Sequence, residues 1–287
     1  MNQELYSKAL EVWQAGPQAN SDDYHSSTGF LSNSFISDFL QCEYNAMIKF
    51  AKVDDIEAGF NEHFAIGHLT EAIIFEGDKG RQKMLERYKD DVFLKRGSGV
   101  KAWVTLSEEL ARRFMRQEKL MRVVNDENSV YHQPIFFKLH GVDFRAEVDC
   151  LNIKQLTEID LKTTKSDFKK DNNENTRKRD ITFIDEYNYH RQRAIYQAGI
   201  KSIFNAHVLP RIFAISKSNY SIRPFMFRDQ ERLNYEIANL APVVDRFKEV
   251  VSGEVEPRQC EICTRCVDSE VIDYEIDTSE YCAPWNW

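Results

Sequence analysis

The sequence predicts an α/β (α+β) fold: a central mixed β-sheet with helices packed on its faces. Two observations predict it. Three strand-like runs at 129–139, 142–151 and 155–163 follow one another across short turns, which is the pattern of an antiparallel meander. A helical segment at 183–204 comes next, followed by two more strand-like runs at 206–216 and 220–227 and a long helix at 231–251 closed by Gly253. Strands interleaved with helices in this order bury both sets of apolar faces by stacking the helices on one sheet.

In chain order, residues 1–30 are polar and mixed, and Pro17 to Thr28 reads as loop. Ser32 or Ser34 is an N-cap for a helix through Phe50, in which Phe35, Phe39, Cys42 and Ala46 recur at helical spacing. Phe64 to Glu76 reads as a buried helix ended by Gly77. Its Glu71 is a carboxylate on a largely apolar surface and needs a partner, either a salt bridge or a nearby metal. Residues 78–100 are charged and punctuated by glycine; 107–125 reads as a helix with Ser107 as N-cap and Leu110, Phe114, Leu120, Met121 and Val124 buried. Lys165 to Asp180 is a polar stretch bearing Lys165, Lys169, Lys170, Arg177, Lys178 and Arg179: a solvated loop, or one that closes over a phosphate backbone.

The bulk numbers narrow the class. With 287 residues, and roughly 150 per domain, one large or two small domains are expected. A hydrophobic fraction of 42% supports a real core, while a net charge of −8 argues against a generally basic coat without excluding a local basic channel. No apolar run approaches the ~20 residues that span a bilayer, and the N-terminus carries no secretory pattern. The expectation is a cytoplasmic chain without internal repeats, whose six cysteines are thiols or metal ligands rather than disulfides.

Two stretches carry chemistry. In Leu156-Thr-Glu-Ile-Asp-Leu-Lys162, period-2 alternation puts Glu158, Asp160 and Lys162 on one face of a strand and Ile159 and Leu161 on the other. Asp149 lies on the neighbouring strand close by. Clustered acids repel, and a hard divalent cation such as Mg²⁺ relieves that repulsion through carboxylate oxygens. A lysine two residues after a ligand acid can hold or deprotonate a water, or neutralise a phosphate. The set suits hydrolysis of a phosphodiester; a solvated charge ladder on a hairpin has the same spacing. In the tail, Cys260-x₂-Cys263-x₂-Cys266 brings three thiolates round one centre, with Cys42 or Cys282 as fourth. Zn²⁺ and [4Fe–4S] are not separable by ligand identity.

Four separated pieces, in order, resemble the PD-(D/E)XK nuclease superfamily, specifically phage and prophage exonucleases of the RecE type (exodeoxyribonuclease VIII-like), with a broader likeness to RecB-type nuclease domains. They are Ser32-Asn-Ser-Phe-Ile-Ser-Asp-Phe-Leu-Gln-Cys42-Glu43, Gly67-His-Leu-Thr-Glu71, Asp149 with Asp160-Leu-Lys162, and Gln192-Arg-Ala-Ile-Tyr196. The resemblance implies a restriction-endonuclease-like core over 31–255, with 1–30 as a polar extension and 256–287 as a Cys-rich tail packing back. It implies that Asp149, Asp160, Glu71 and the Leu161 carbonyl bind Mg²⁺ or Mn²⁺, that Lys162 completes the catalytic set, and that Gln192, Tyr196, Lys165 and Arg193 contact DNA. Cys42, Cys260, Cys263 and Cys266 match the layout of a structural [4Fe–4S] site, with a zinc site as the alternative. The implied activity is exonucleolytic degradation of duplex DNA from an end in a bacterial or phage-infected cell, supplying single strands to an annealing recombinase, with a homo-oligomer as a possible assembly. A single-strand exonuclease, a structure-specific endonuclease and a catalytically idle DNA-binding protein are the alternatives.

Overall fold

The computed structural model describes residues 3–20, 24–51, 59–94, 99–166, 168 and 182–268. A helical portion leads: α1 (Gln3–Gln14), α2 (Asn33–Gln41), α3 (Glu43–Ala51), α4 (Glu62–Arg87), α5 (Lys89–Val92), α6 (Ala102–Met115) and α7 (Glu118–Val124). The meander follows as β1 (Val130–Leu139), β2 (Val142–Asn152) and β3 (Thr157–Thr164). After it come α8 (Phe183–Glu186), α9 (Tyr189–Phe204), β4 (Leu209–Ser216), β5 (Ile222–Met226), α10 (Gln230–Val251) and α11 (Thr264–Asp268).

The strands lie in sequence order, β1-β2-β3-β4-β5. All neighbours are antiparallel except β3 and β4, which run parallel with Asp160 opposite Ile212. A parallel pair needs a long crossover, and α9 lies in it. The sheet is therefore mixed, as the strand pattern predicts. On one face, Leu69, Trp103, Leu110 and Phe114 from α4 and α6 cover Ile159, Leu161 and Phe213. On the other, α2, α3, α9 and α10 bury Ile36, Phe39, Met47, Ile195 and Phe247 against Phe144 and Val148. Phe247 meets Trp13, Phe35, Phe39 and Phe50 edge-on at 5.2–6.0 Å, so the first helix is tied into this core by an aromatic cluster.

Several local expectations are corrected. The stripe from Phe35 to Phe50 is not one helix: Cys42 is extended and closes α2, and the next helix starts at once. Ser32 is the N-cap, accepting from the Phe35 amide at 3.2 Å. Ser107 is not an N-cap. The helix begins at Ala102, and the buried Ser107 hydroxyl instead donates to the Trp103 carbonyl at 2.7 Å, while the chain breaks at Arg116–Gln117 before α7. The segment 183–204 is likewise divided, at Asn188, whose backbone is left-handed. Gly77 does end the first helical stretch, as the sequence predicts, and a second stretch follows it. It turns the chain with φ 63° inside α4, and the second half runs back beside the first, bringing the Tyr88 hydroxyl within 2.6 Å of His68 Nδ1. Gly80 makes that return possible, because a Cβ there would overlap the Ala72 carbonyl oxygen and the Glu76 side chain. Gly80→Ala is expected to cost about 1–3 kcal/mol in urea unfolding, the scale of an overpacked site.

Candidate active site

Pairing between β2 and β3 is confined to Cys150–Asn152 against Thr157–Ile159. Beyond that the two strands part, and a side chain takes the place of the ladder: Asp149 Oδ2 accepts from the Leu161 amide at 2.9 Å. Further along the edge that β3 leaves, β2 pairs with Leu31 instead, through amide bonds on both sides of Phe144. Asp149 thus sits in the fork of the sheet. The alternation of β3 directs Glu158, Asp160 and Lys162 to one face there, as the sequence predicts, with Ile159 and Leu161 in the opposite core.

That face is neutralised from below by α9. Arg193, fully buried, donates through Nη1 to Glu158 Oε2 at 2.7 Å and through Nη2 to Asp160 Oδ1 at 2.6 Å. Lys162 Nζ lies 2.6 Å from Asp160 Oδ2, so each oxygen of Asp160 faces a cation. The Arg193 guanidinium in turn lies over the Tyr196 ring at 4.4 Å. The expectation that Arg193 contacts DNA is therefore corrected: with no exposed surface, and both ends of its fork committed to carboxylates, it holds the site rather than the substrate.

The fourth acid comes from α4. Gly67 brings that helix close to the end of β3, its Cβ position lying 3.5 Å from Thr163 Oγ1. Glu71, one turn on, is raised well above the usual carboxylate range by burial and then by the charge of Asp149. Asp149 is pushed up to about 6, by burial first and then by Asp160. Burial alone would discharge Lys162, but the carboxylates of Asp160 and Asp149 outweigh it and keep the ammonium protonated above its ordinary range. A lysine held this way acts as a charge rather than as a base.

His132 was not singled out from the sequence. Its Nδ1 lies 3.4 Å from Glu71 Oε1 and its Nε2 3.3 Å from Glu76 Oε1. It adopts φ 50° within β1, at the step between the pairs Tyr131–Cys150 and Gln133–Val148, and so lies across from Asp149. A bulky residue in that region is strained, and strain of this kind collects at functional sites. Nothing in its sequence neighbourhood marks it, since the contact joins residues more than 50 apart. Glu71 thus has His132 as a near neighbour and faces the acids of the fork, which oppose its charge.

The donor set fits a hard divalent ion. Glu71, Asp149, Asp160 and the Leu161 carbonyl are oxygen donors. The raised carboxyls of Asp149 and Glu71 reflect burial first and the neighbouring acids second. Gln192 faces inward, and its Oε1 is buried with no hydrogen-bond partner among the described residues. Lys165 is exposed at the end of β3 beside Lys217, whose ammonium is weakened by burial and by that neighbour. Lys169, Lys170, Arg177, Lys178 and Arg179 lie outside the described residues.

A second centre is made by cysteines. Cys42, at the break between α2 and α3, meets Cys260, Cys263 and Cys266, all four sulfurs within 4.8 Å of one another. The Cys42–Cys266, Cys260–Cys266 and Cys263–Cys42 separations are 3.5, 3.9 and 4.0 Å. Amides of Ile262 and Cys263 lower the Cys260 thiol to about 6, whereas burial pushes the Cys42 thiol up and the Cys266 thiol up to about 12. Cys282 lies outside the described residues.

The chain matches the PDDEXK-like domain of unknown function DUF3799 over residues 32–269. It belongs to this family. The match runs from the cap of α2 past α11, so the fork, Glu71 and the four clustered cysteines all fall inside the DUF3799 domain. No curated protein matches it. Among solved structures, a candidate exonuclease from Eubacterium rectale is 21% identical, with a TM-score of 0.77, and the alignment covers 93% of this chain and 99% of that one. At that identity the likeness establishes the fold. A further structure, SSO0001, is 11% identical over 96% of this chain and 97% of its own, but its TM-score of 0.33 carries no argument. The DUF3799 chain thus has the PD-(D/E)XK fold, a mixed sheet flanked by helices. Among the described residues no helix is long and apolar enough to cross a membrane.

Proposed function

We propose that this DUF3799 chain is a metal-dependent deoxyribonuclease of the RecE type that hydrolyses phosphodiester bonds from the end of a DNA duplex. The observation that carries the reading is the fork: Asp149 beside the Leu161 amide, Asp160 with Lys162 on its outer oxygen, and Glu71 across from them. Mg²⁺ or Mn²⁺, when bound by these acids and the Leu161 carbonyl, would polarise the phosphate and lower the pKa of a water.

The protein groups have separate tasks. Arg193 and Glu158 fix the carboxylate of Asp160 from behind, leaving Oδ2 as the oxygen free to turn outward once Lys162 releases it. Lys162, kept charged, steadies the phosphate as a water attacks phosphorus and the P–O bond on the far side breaks. Gln192 and Tyr196 line the strand near the cut, and Lys165 with Lys217 takes the backbone beyond it.

The end-dependence is tested with linear, nicked and closed circular DNA. Degradation of linear duplex alone is expected, and cutting of closed circles would make the enzyme an endonuclease. DNA binding without turnover in Mg²⁺ or Mn²⁺ would make it a binding protein. The pH dependence has a definite sign. Asp149, at about 6, and Glu71, also raised, hold protons that a cation must displace, so metal affinity rises with pH between about 5 and 8. Isothermal titration with Mn²⁺ at the two pH values checks this, and equal affinities would contradict it.

For the cysteine centre, we infer zinc. A Zn–S bond of about 2.3 Å in a tetrahedron puts sulfurs about 3.8 Å apart, and here the four sulfurs lie within 4.8 Å of one another, three of the separations being 3.5–4.0 Å. The ion would be a staple between the α2–α3 corner and the tail. Colourless protein with one zinc per chain is expected; brown protein with iron would establish the cluster instead. Cys263→Ser should lower the thermal midpoint by about 10 °C or more, since a structural zinc contributes to folding directly.

A further inference from the structure

Next to the fork, α4 carries a terrace of aromatic rings that the proposed chemistry does not use. Phe64 is 66% exposed and lies nearly parallel to His68, at 17° with centroids 6.5 Å apart. His68 is parallel in turn to Tyr88, at 12° and 6.3 Å, and is locked to it by the 2.6 Å contact between Nδ1 and the hydroxyl. Phe60 stands edge-on to Tyr88 and is itself partly exposed. The return of the helix at Gly77 builds this surface, because without it Tyr88 would lie far from His68.

Burial does not explain the arrangement. Soluble chains seldom leave ordered aromatic rings in water without a use for them. Cations accompany the rings: Arg87 lies over Tyr88 at 5.7 Å and Lys101 over Phe60 at 5.5 Å. The terrace is also continuous with the proposed active site. His68 lines the same cleft as Glu71, Glu147 and His132, with Lys83 and Arg87 on its rim. Along α4, Phe64 is seven residues from Glu71, about 10 Å at roughly 1.5 Å per residue, or about three stacked base steps.

We propose that the Phe64–His68–Tyr88 terrace is a stacking platform for unpaired bases of DNA next to the cleaved phosphate. Exposed flat rings flanked by cations suit single-stranded nucleic acid, whose bases stack on the rings while its phosphates meet Lys83 and Arg87. A paired duplex offers no free base faces to such a surface. The inference rests on the nuclease reading for its place in catalysis: the terminal nucleotides of the cut strand leave their partners and lie on the rings.

The test measures binding in EDTA, where nothing is cut, using labelled oligothymidylate and a blunt duplex of equal length. Phe64 and His68 are exposed, so Phe64→Ala and Phe64→Ala/His68→Ala should keep the wild-type circular dichroism. Oligothymidylate affinity is expected to fall roughly tenfold for each stacked base lost, while duplex affinity changes less than twofold. Phe64→Trp should restore it. Unchanged oligothymidylate affinity in the double variant, or an equal loss for both ligands, overturns the platform. So does a shift from dimer to monomer on sedimentation with DNA affinity intact, which would make the terrace a contact between copies of the chain. Degradation by the wild type in Mg²⁺ is assayed in parallel. Cutting without ring-dependent binding rejects the platform and keeps the nuclease; ring-dependent binding without cutting does the reverse.

Discussion

Lys162→Met is expected to reduce Mg²⁺-dependent DNA degradation by roughly 10²–10⁴-fold, the range lost when a positioned proton-handling or charge-bearing group is removed. The side chain is about a quarter exposed and is anchored by one contact, to Asp160 Oδ2, so its loss should leave the fold intact. Methionine keeps the length of the stem without the charge. Because Asp160 and Asp149 raise the amine above its ordinary range, the group carries positive charge at neutral pH. Lys162→Arg, which keeps the charge but changes its shape, should then recover part of the rate. Single-turnover digestion of an end-labelled duplex, with circular dichroism as a control, measures both variants. Undiminished degradation by Lys162→Met would remove the site from the fork altogether.

Arg193→Met should lower the free energy of unfolding by about 3–5 kcal/mol, because breaking a buried ion pair leaves a charge without compensation. Here two carboxylates lose their partner together. Glu158 has no exposed side-chain surface, and burial already pushes its carboxyl up to about 8 even with Arg193 opposing. Without the guanidinium nothing offsets that rise, while Asp160 retains Lys162. Urea unfolding measures the loss. The double variant Arg193→Met/Glu158→Leu should regain part of it, since replacing a buried pair by apolar groups is often neutral. A loss below ~1 kcal/mol would show that the pair is not the brace described. Retained stability with lost Mn²⁺ affinity would point to a role limited to orienting Asp160.

Much of the sheet was legible because strands announce themselves by a period of two. The meander from Val130 to Thr164 and the face shared by Glu158, Asp160 and Lys162 follow from that alternation. Helix boundaries were read less well. Ser107 looks like a cap by residue type, yet its hydroxyl is satisfied inside the helix by Trp103, a choice that propensity does not record. Gly77 is the stop its residue type suggests; the return of the next stretch along the first, with Gly80 packed on Ala72, is what the sequence does not show. Arg193 was grouped with the DNA contacts because it stands beside Gln192; its partners are 33 and 35 residues away and only the fold brings them under it.

The sequence by itself determined the class of sheet, the face on which two acids and a lysine of β3 point, and the three close cysteines of the tail. Each is a matter of spacing along one segment. The tertiary structure alone decided where β2 and β3 separate, that Asp149 fills the gap, and that His132 meets Glu71 beside it. Spacing along the chain sets which side of an element a residue occupies. Which distant residue it meets there depends on how the elements pack, and the charges and pKa values of this site arise from those meetings.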